Sequence, residues 1–309
     1  MLGNCTIVDI ICWYMMKPVN MLLNRFDTLA EISNRKALLS LYMNFKSTMS
    51  RISNIDVLDL GWATTDFLTD ARYANITIEL FKVDVLLTNY RLIGGVLPSL
   101  HWSRRFEYPW AVLNGKFLGS PKPFRILDCG AGLNPLQFFL AMRGYSVYSL
   151  DLNIGTLLRI GRIKANFGIQ TIHPYYGDIL RMPFPDNSFD RVICISVLEH
   201  VLSRYPIRSD TQLEIILRMF FNELLRVLKP EGLLLLTFDV NLNPENEKYH
   251  LYPKELEVLA KILRFAIPAL PNNLLVSSNT PEGVLMGPDL TVFYMVLMKS
   301  KASSKSKIT

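Results

Sequence analysis

The chain is poor in the residues that build metal centres and disulfide frameworks. Among 309 residues there are four cysteines and four histidines. Cys5, Cys12, Cys129 and Cys194 form no CxxC pair and share no metal-type spacing with histidine, so neither a zinc site nor a cross-linked secreted scaffold is expected. Cys129 and Cys194 fall in predicted core strands, where cysteine acts as a small hydrophobe, and a reducing, cytoplasmic setting follows. Long hydrophobic runs are missing too. Thr6–Met16 is apolar but short and broken by Asp9, whereas a membrane span needs about 20 apolar residues. The leader also lacks the basic start of a signal peptide. A buried or partner-facing helix is expected there, with peripheral membrane contact as the lesser alternative. A concentrated positive charge is likewise lacking. Lys299, Lys301, Lys305 and Lys307 supply four of the formal +6, which leaves a body at +2 and argues against a nucleic-acid partner.

What the chain does have is apolar material, half of all residues, and no internal repeat. Gly119-Ser-Pro-Lys-Pro123 punctuates it near residue 120. Residues 1–119 read as a mostly helical cap or extension, with apolar residues at helical spacing over Asn20–Lys46 and Ile76–Leu92. Residues 120–299 alternate strand and helix, and 300–309 read as a disordered basic tail that composition extends back to Lys299. Strands are expected at Arg125–Asp128, Ser146–Asp151, Thr171–Tyr176, Arg191–Ser196 and Leu233–Phe238. Helices are expected at Pro135–Arg143, from the Asn153 cap to before Gly168, at Leu213–Leu228 and at Pro253–Phe265. Asn273–Ser278 and Thr291–Met298 read as two late strands. This alternation implies an α/β fold with a Rossmann-like, doubly wound, mainly parallel sheet. Met219, Phe220 and Phe221 belong to its core.

In such a sheet ligands bind at the carboxyl ends of the strands, at the switch in strand order. The turn in Phe124-Arg-Ile-Leu-Asp-Cys-Gly-Ala-Gly-Leu-Asn-Pro135 therefore carries the function. Gly130 and Gly132 leave no side chain where the backbone bends toward a ligand. Asp151 ends the next strand and can accept hydrogen bonds from both hydroxyls of a ribose. A dinucleotide site wants a third glycine where Pro135 stands, so a pyrophosphate on the helix is excluded. S-adenosylmethionine has no phosphates and needs no such approach. In Tyr176-Gly-Asp-Ile-Leu180, Asp178 can accept from an adenine amino group while the Ile179 amide donates to the ring.

Residues 124–240 resemble the core of class I S-adenosylmethionine-dependent methyltransferases, especially small-molecule members. The matching pieces are Leu127-Asp-Cys-Gly-Ala-Gly132, Leu150-Asp151, Gly177-Asp178, Phe189-Asp-Arg-Val192 and Leu224-Leu-Arg-Val-Leu-Lys-Pro-Glu-Gly-Leu233. The resemblance implies a seven-stranded sheet whose last inserted strand is antiparallel. It implies cofactor contacts at Asp128, Gly130, Ala131, Gly132, Asp151, Leu152, Asp178, Ile179 and Ser196. Many members carry a third glycine where this chain has Asn134, and Asn tolerates unusual backbone angles.

The acceptor is less legible. Methyl transfer to O, N or C of a small-molecule or saccharide-like acceptor is the leading reading. Methylation of nucleic acid or protein, and a non-catalytic cofactor-binding scaffold, are the alternatives. No Asn-Pro-Pro-Tyr-like segment follows the fourth strand, where Ile195-Ser-Val-Leu198 stands. Glu199 and His200 come next, and His200 is a candidate base because imidazole titrates near neutrality. His250, between Tyr249 and the nearby Tyr252, is its rival; His101 and His173 carry no signal. Arg104, Arg105, Glu107, Tyr108 and Trp110 form an amphipathic cluster before the first strand, either packed or serving as a lid. Arg105, Tyr108 and Tyr249 are the candidate substrate or lid contacts.

Overall fold

The computed structural model describes residues 52, 54–92, 102–119, 124–205, 207, 209–243, 251–277 and 289–301, with side chains except at 88–92. The expected helix over Asn20–Lys46, the apolar stretch Thr6–Met16, His101, Tyr249, His250 and the tail from 302 lie outside the described residues.

Seven strands form one sheet in the order β1-β7-β6-β5-β2-β3-β4. Five neighbouring strands, from β6 to the edge strand β4, are parallel: β2 (Arg125–Cys129), β3 (Ser146–Asp151), β4 (Ile172–Tyr176), β5 (Phe189–Ile195) and β6 (Leu228–Asn241). β7 (Leu290–Lys299) runs antiparallel to β6, as the resemblance implies. The run Leu233–Val240 shows no alternation because nearly every residue in it is buried, as expected for a strand covered on both faces. Helices α1 (Ala71–Leu92), α2 (Arg104–Asn114) and α3 (Pro135–Met142) pack together in one group. α6 (Asp210–Val227) and α7 (Pro253–Leu263) form another, against β6. α4 (Ile154–Phe167) links β3 to β4, and α5 (Leu198–Ser203) follows β5. Asn153 caps α4 through Thr156 N–H, and Gly168 ends it at φ 65°, both as expected. Among the described residues no helix is long and apolar enough to cross a membrane.

The seventh strand departs from the expectation. Asn273–Ser278 makes only isolated bridges at Leu274 and Val276 before the described residues stop at 277. The sheet is completed instead by β1 (Ile55–Trp62), which pairs antiparallel with β7. Its Asp56 and Asp59 interrupt the apolar pattern because β1 is the edge strand, where charge and the irregularity between Val57 and Asp59 discourage further pairing. Lys299 also leaves the tail to which composition assigned it. It ends β7 and donates to Leu225 O, Leu228 O and Asn187 Oδ1, each at 2.7 Å.

Aromatic rings fasten this added edge. Phe293 is fully buried, with Trp62 edge-on at 4.8 Å and Phe238 and Phe265 stacked at 5.6 and 6.1 Å. A second group joins Phe67, Tyr73, Phe106, Trp110 and Tyr294, tying α1 and α2 to β7. Phe293→Ala is expected to cost about 3–5 kcal/mol by opening a cavity that this packing cannot close. Urea unfolding should show a lower midpoint with an unchanged slope. Leu58→Ala, on the exposed side of β1, should change stability by less than about 0.5 kcal/mol.

Candidate functional site

The chain runs β2, β3, β4 to one side and then returns to place β5 on the other side of β2. The strand order therefore reverses between β2 and β3 on one hand and β5 on the other, and the crevice at their carboxyl ends is where such sheets bind ligands. The β2–α3 turn stands at that reversal. Gly130 and Gly132 have φ of 62° and 55°, a region that costs side-chain-bearing residues strain. Ala131 N–H donates to Leu150 O at 3.0 Å, and Gly132 N–H to Asp151 Oδ2 at 2.8 Å, so the turn is bonded to the end of β3. The other oxygen of Asp151 accepts Asn153 N–H at 2.8 Å.

Asn134 is not there for unusual backbone angles, since its φ of −104° is ordinary. It works through its amide. Its Oδ1 caps α3 by accepting Gln137 N–H, while its Nδ2 donates to Asp128 Oδ2 at 3.0 Å and to Ala131 O. Pro135 fits the first turn of α3, where a missing N–H costs nothing. Gln137, fully buried, donates to Gly132 O and accepts from Ser149 Oγ at 2.7 Å. Glycine's freedom at positive φ and the amide bonding together hold one turn conformation. Burial pushes the Asp128 carboxyl up to about 7; Asn134 opposes this and the nearby Asp151 charge adds to it.

The remaining expected contacts ring the same edge. Leu152 is exposed beside Asp151, and Ile179 is buried beside Asp178. Asp178 Oδ1 accepts Leu180 N–H at 3.0 Å, and its Oδ2 lies 3.7 Å from Arg204. Ser196 follows β5 with φ 48° and is buried. His200 is exposed on α5, its pKa held below the ordinary value by partial burial and by the Arg104 and Arg204 charges.

The cluster before β2 is α2, a helix missed because Pro109 breaks its pattern. Arg105 is exposed, and Tyr108 is buried with the Arg104 guanidinium 5.8 Å from its ring centre. Sequence reasoning overlooked what α2 delivers to the crevice. Glu107, fully buried, pairs with Arg104 and accepts from Ser196 Oγ at 2.8 Å and from Thr237 Oγ1. Arg104 also donates to Ser196 Oγ at 2.6 Å. Burial alone would raise the Glu107 pKa; the Arg104 charge and the bonds from Thr237, Ser196 and Arg104 outweigh it and hold the carboxyl below its usual range. An acid at i+3 from an arginine, between apolar residues, was the available signal.

Glu199 and Asp239 sit near this pair without sharing its bonds. Glu199 is 3% exposed, and neither carboxyl oxygen meets hydrogen-bond geometry with a partner among the described residues. Burial, then the Asp239 charge, push it well above its ordinary value, with a small offset from its own backbone N–H. Asp239 Oδ1 is also unpartnered, and burial and the Glu107 charge raise Asp239 to about 7 against the pull of Arg104. Among the described residues no group of His, Cys, Asp or Glu is arranged to hold a metal ion.

Two outcomes follow from the turn. A Cβ at Gly130 would lie 2.6 Å from Val197 Cγ2, whereas at Gly132 the nearest atom is Gly130 O at 4.0 Å. Gly130→Ala should therefore cost about 2–4 kcal/mol and Gly132→Ala about 1 kcal/mol. Adding Val197→Ala should recover part of the first loss and none of the second in a double-mutant cycle. The raised Asp128 pKa makes its contribution to stability greatest below the ordinary carboxylate value of 3.8, and that contribution is lost as pH rises through about 7. The stability of Asp128→Asn relative to wild type should thus climb by on the order of 4 kcal/mol between pH 4 and pH 8 and then level off. Denaturant titrations across that range measure it.

Comparison with known proteins meets this geometry. A sequence model described as a methyltransferase domain matches residues 127–236, from β2 into β6. Sterol 24-C-methyltransferase ERG6B of Gibberella zeae is 30% identical over 118 residues, 38% of this chain and 28% of that one. A probable tocopherol O-methyltransferase of Oryza sativa is 28% identical over 143 residues, 46% of this chain and 36% of that one. A probable S-adenosylmethionine-dependent methyltransferase of Mycolicibacterium smegmatis is 26% identical over 191 residues, 59% and 65% of the two chains. The match spans about a third of the length of the first two. Glycine turn, the acid that ends β3 and sheet order accord with that match: residues 127–236 are a methyltransferase domain of the class I, S-adenosylmethionine-dependent family.

Proposed function

We propose that the chain transfers a methyl group from S-adenosylmethionine to an O, N or C atom of a small-molecule or saccharide-like acceptor. The observation that carries this reading is the bond from Gly132 N–H to Asp151, which holds the acid of β3 against the glycine turn at the reversal of strand order. A carboxylate has about four lone-pair sites, so the bonds from Gly132 and Asn153 leave room for both ribose hydroxyls. The turn is also open where a ligand would approach, because a Cβ on Gly132 would meet only Gly130 O, at 4.0 Å. Exposed Leu152 and Ile154 offer apolar cover for an adenine ring, with Asp178 and the Ile179 amide reading its edge. Asp128, whose pKa burial raises to about 7, would be held ionised by the ammonium of the methionine moiety. The relatives named for a sterol and for tocopherol support a small acceptor.

When bound, S-adenosylmethionine supplies an activated methyl on a sulfonium, and transfer is an in-line displacement. The chain's own work is alignment, exclusion of water and acceptance of a proton where the acceptor carries one. The Glu107–Arg104 pair contributes to alignment by fixing Ser196 and Thr237 at the ends of β5 and β6.

Titration calorimetry tests the reading. S-adenosylmethionine should bind wild type, and Asp151→Ala should weaken it roughly ten- to a hundredfold through loss of charge-assisted bonds to the ribose. Equal affinity for the two proteins, or no binding to either, contradicts it. Label from the methyl-labelled donor should appear in a member of a small-molecule acceptor panel.

A further inference from the structure

Glu107 and Arg104 satisfy each other, and the oxygens of Ser196 and Thr237 complete their bonding. That closed set already uses the Arg104 charge, and among the described residues no second cation is paired with the two acids beside it. Glu199 enters from the first turn of α5, directly after β5, and Asp239 from the end of β6, which is β5's neighbour in the sheet. Both therefore stand at the carboxyl edge that holds the glycine turn. The charges felt by Glu199 are Asp239 from β6 and Arg104 and Glu107 from α2; Asp239 feels Glu107 and Arg104. His200 is the adjoining group on α5.

A buried carboxyl with no hydrogen-bond partner is costly and is rarely retained without a use. Here both oxygens of Glu199 and Oδ1 of Asp239 are left without a partner among the described residues. A neutral hydroxyl could satisfy one oxygen but would leave the repulsion between the acids intact. A cation with several N–H donors resolves both at once, since it bonds the free oxygens and supplies the missing charge.

We propose that Glu199 and Asp239 form the acceptor subsite and that the acceptor is a small molecule bearing a basic amine, bound as its ammonium form. The assignment deepens the methyltransferase reading and rests on it. One carboxylate takes a proton from the bound ammonium and so frees the nitrogen lone pair. That lone pair forms the new N–C bond as the methyl–sulfur bond of the donor breaks, with the bonding electrons remaining on sulfur. The product stays a methylammonium, and the proton held by the carboxyl passes to solvent as it leaves.

The test uses the full chain with methyl-labelled S-adenosylmethionine and a panel of alkyl- and arylalkylamines, each matched to its hydroxyl isostere. Donor affinity is measured by calorimetry and folding by thermal unfolding. Amines should be methylated, with kcat/KM at least roughly tenfold above the isosteres. Glu199→Gln and Asp239→Asn should each lower kcat/KM for amines roughly ten- to a hundredfold while leaving donor affinity within about twofold. Binding of the amines in the presence of S-adenosylhomocysteine should weaken in step, a readout that does not depend on turnover. Donor binding with isosteres preferred, with no amine methylated, or with both variants as active on amines as wild type overturns the assignment. So does loss of transfer on His200→Gln with neither acid variant affected. Failure of the donor to bind wild type is a different result, which defeats the underlying methyltransferase reading.

Discussion

Glu107 is fully removed from solvent, and a carboxylate there must be bonded on every side or surrender its charge. It is bonded on every side. Arg104 lies one helical turn earlier on α2, Ser196 follows β5 and Thr237 lies on β6, so one side chain joins elements that are far apart in sequence. The consequence is geometric: the ends of β5 and β6 cannot separate from α2 without exposing or stranding a charge. Ser196 is held at φ 48°, a conformation a serine adopts only when its surroundings insist. The acceptor side of the crevice is thus as firmly built as the glycine side.

The two sides are built by different physics. On the glycine side, backbone freedom comes first, and Asn134, Gln137 and Asp151 then lock the turn with amide and carboxylate bonds. On the acceptor side, electrostatic balance comes first. One ion pair is complete, and burial raises the pKa of the acids next to it, whose free oxygens have no bond among the described residues to oppose the shift. A ligand bringing positive charge to that edge meets groups already poised to ionise. Asp128 gives the glycine side the same property on a smaller scale.

Much of this was legible from local pattern. β2, its turn, α3, β3, the Asn153 cap and Gly168 are set by residues within a few positions of one another, and sequence spacing reports such things well. β1 was not legible, because its assignment depends on pairing with β7 more than 200 residues away and its edge acids disguise the alternation. The stretch Asn273–Ser278 has strand-like composition, but the place beside β7 is taken by β1. Asn134 was noticed for the wrong reason, since its role lies in a side-chain amide that bonds three groups at once. Glu107 was invisible as a site residue because its partners come from α2, β5 and β6, and no short motif spans them. Tyr249 and His250 lie outside the described residues.

The central claim is that the donor lies across the β2 turn and the ends of β3 and β4. Hydrogen exchange with and without saturating S-adenosylmethionine tests it most directly. The amides of Gly130–Asn134, Asp151–Asn153 and Asp178–Leu180 should exchange more slowly with the donor present, and those of α7 should be unchanged. Unaltered exchange across those segments, or protection centred elsewhere, would contradict the account.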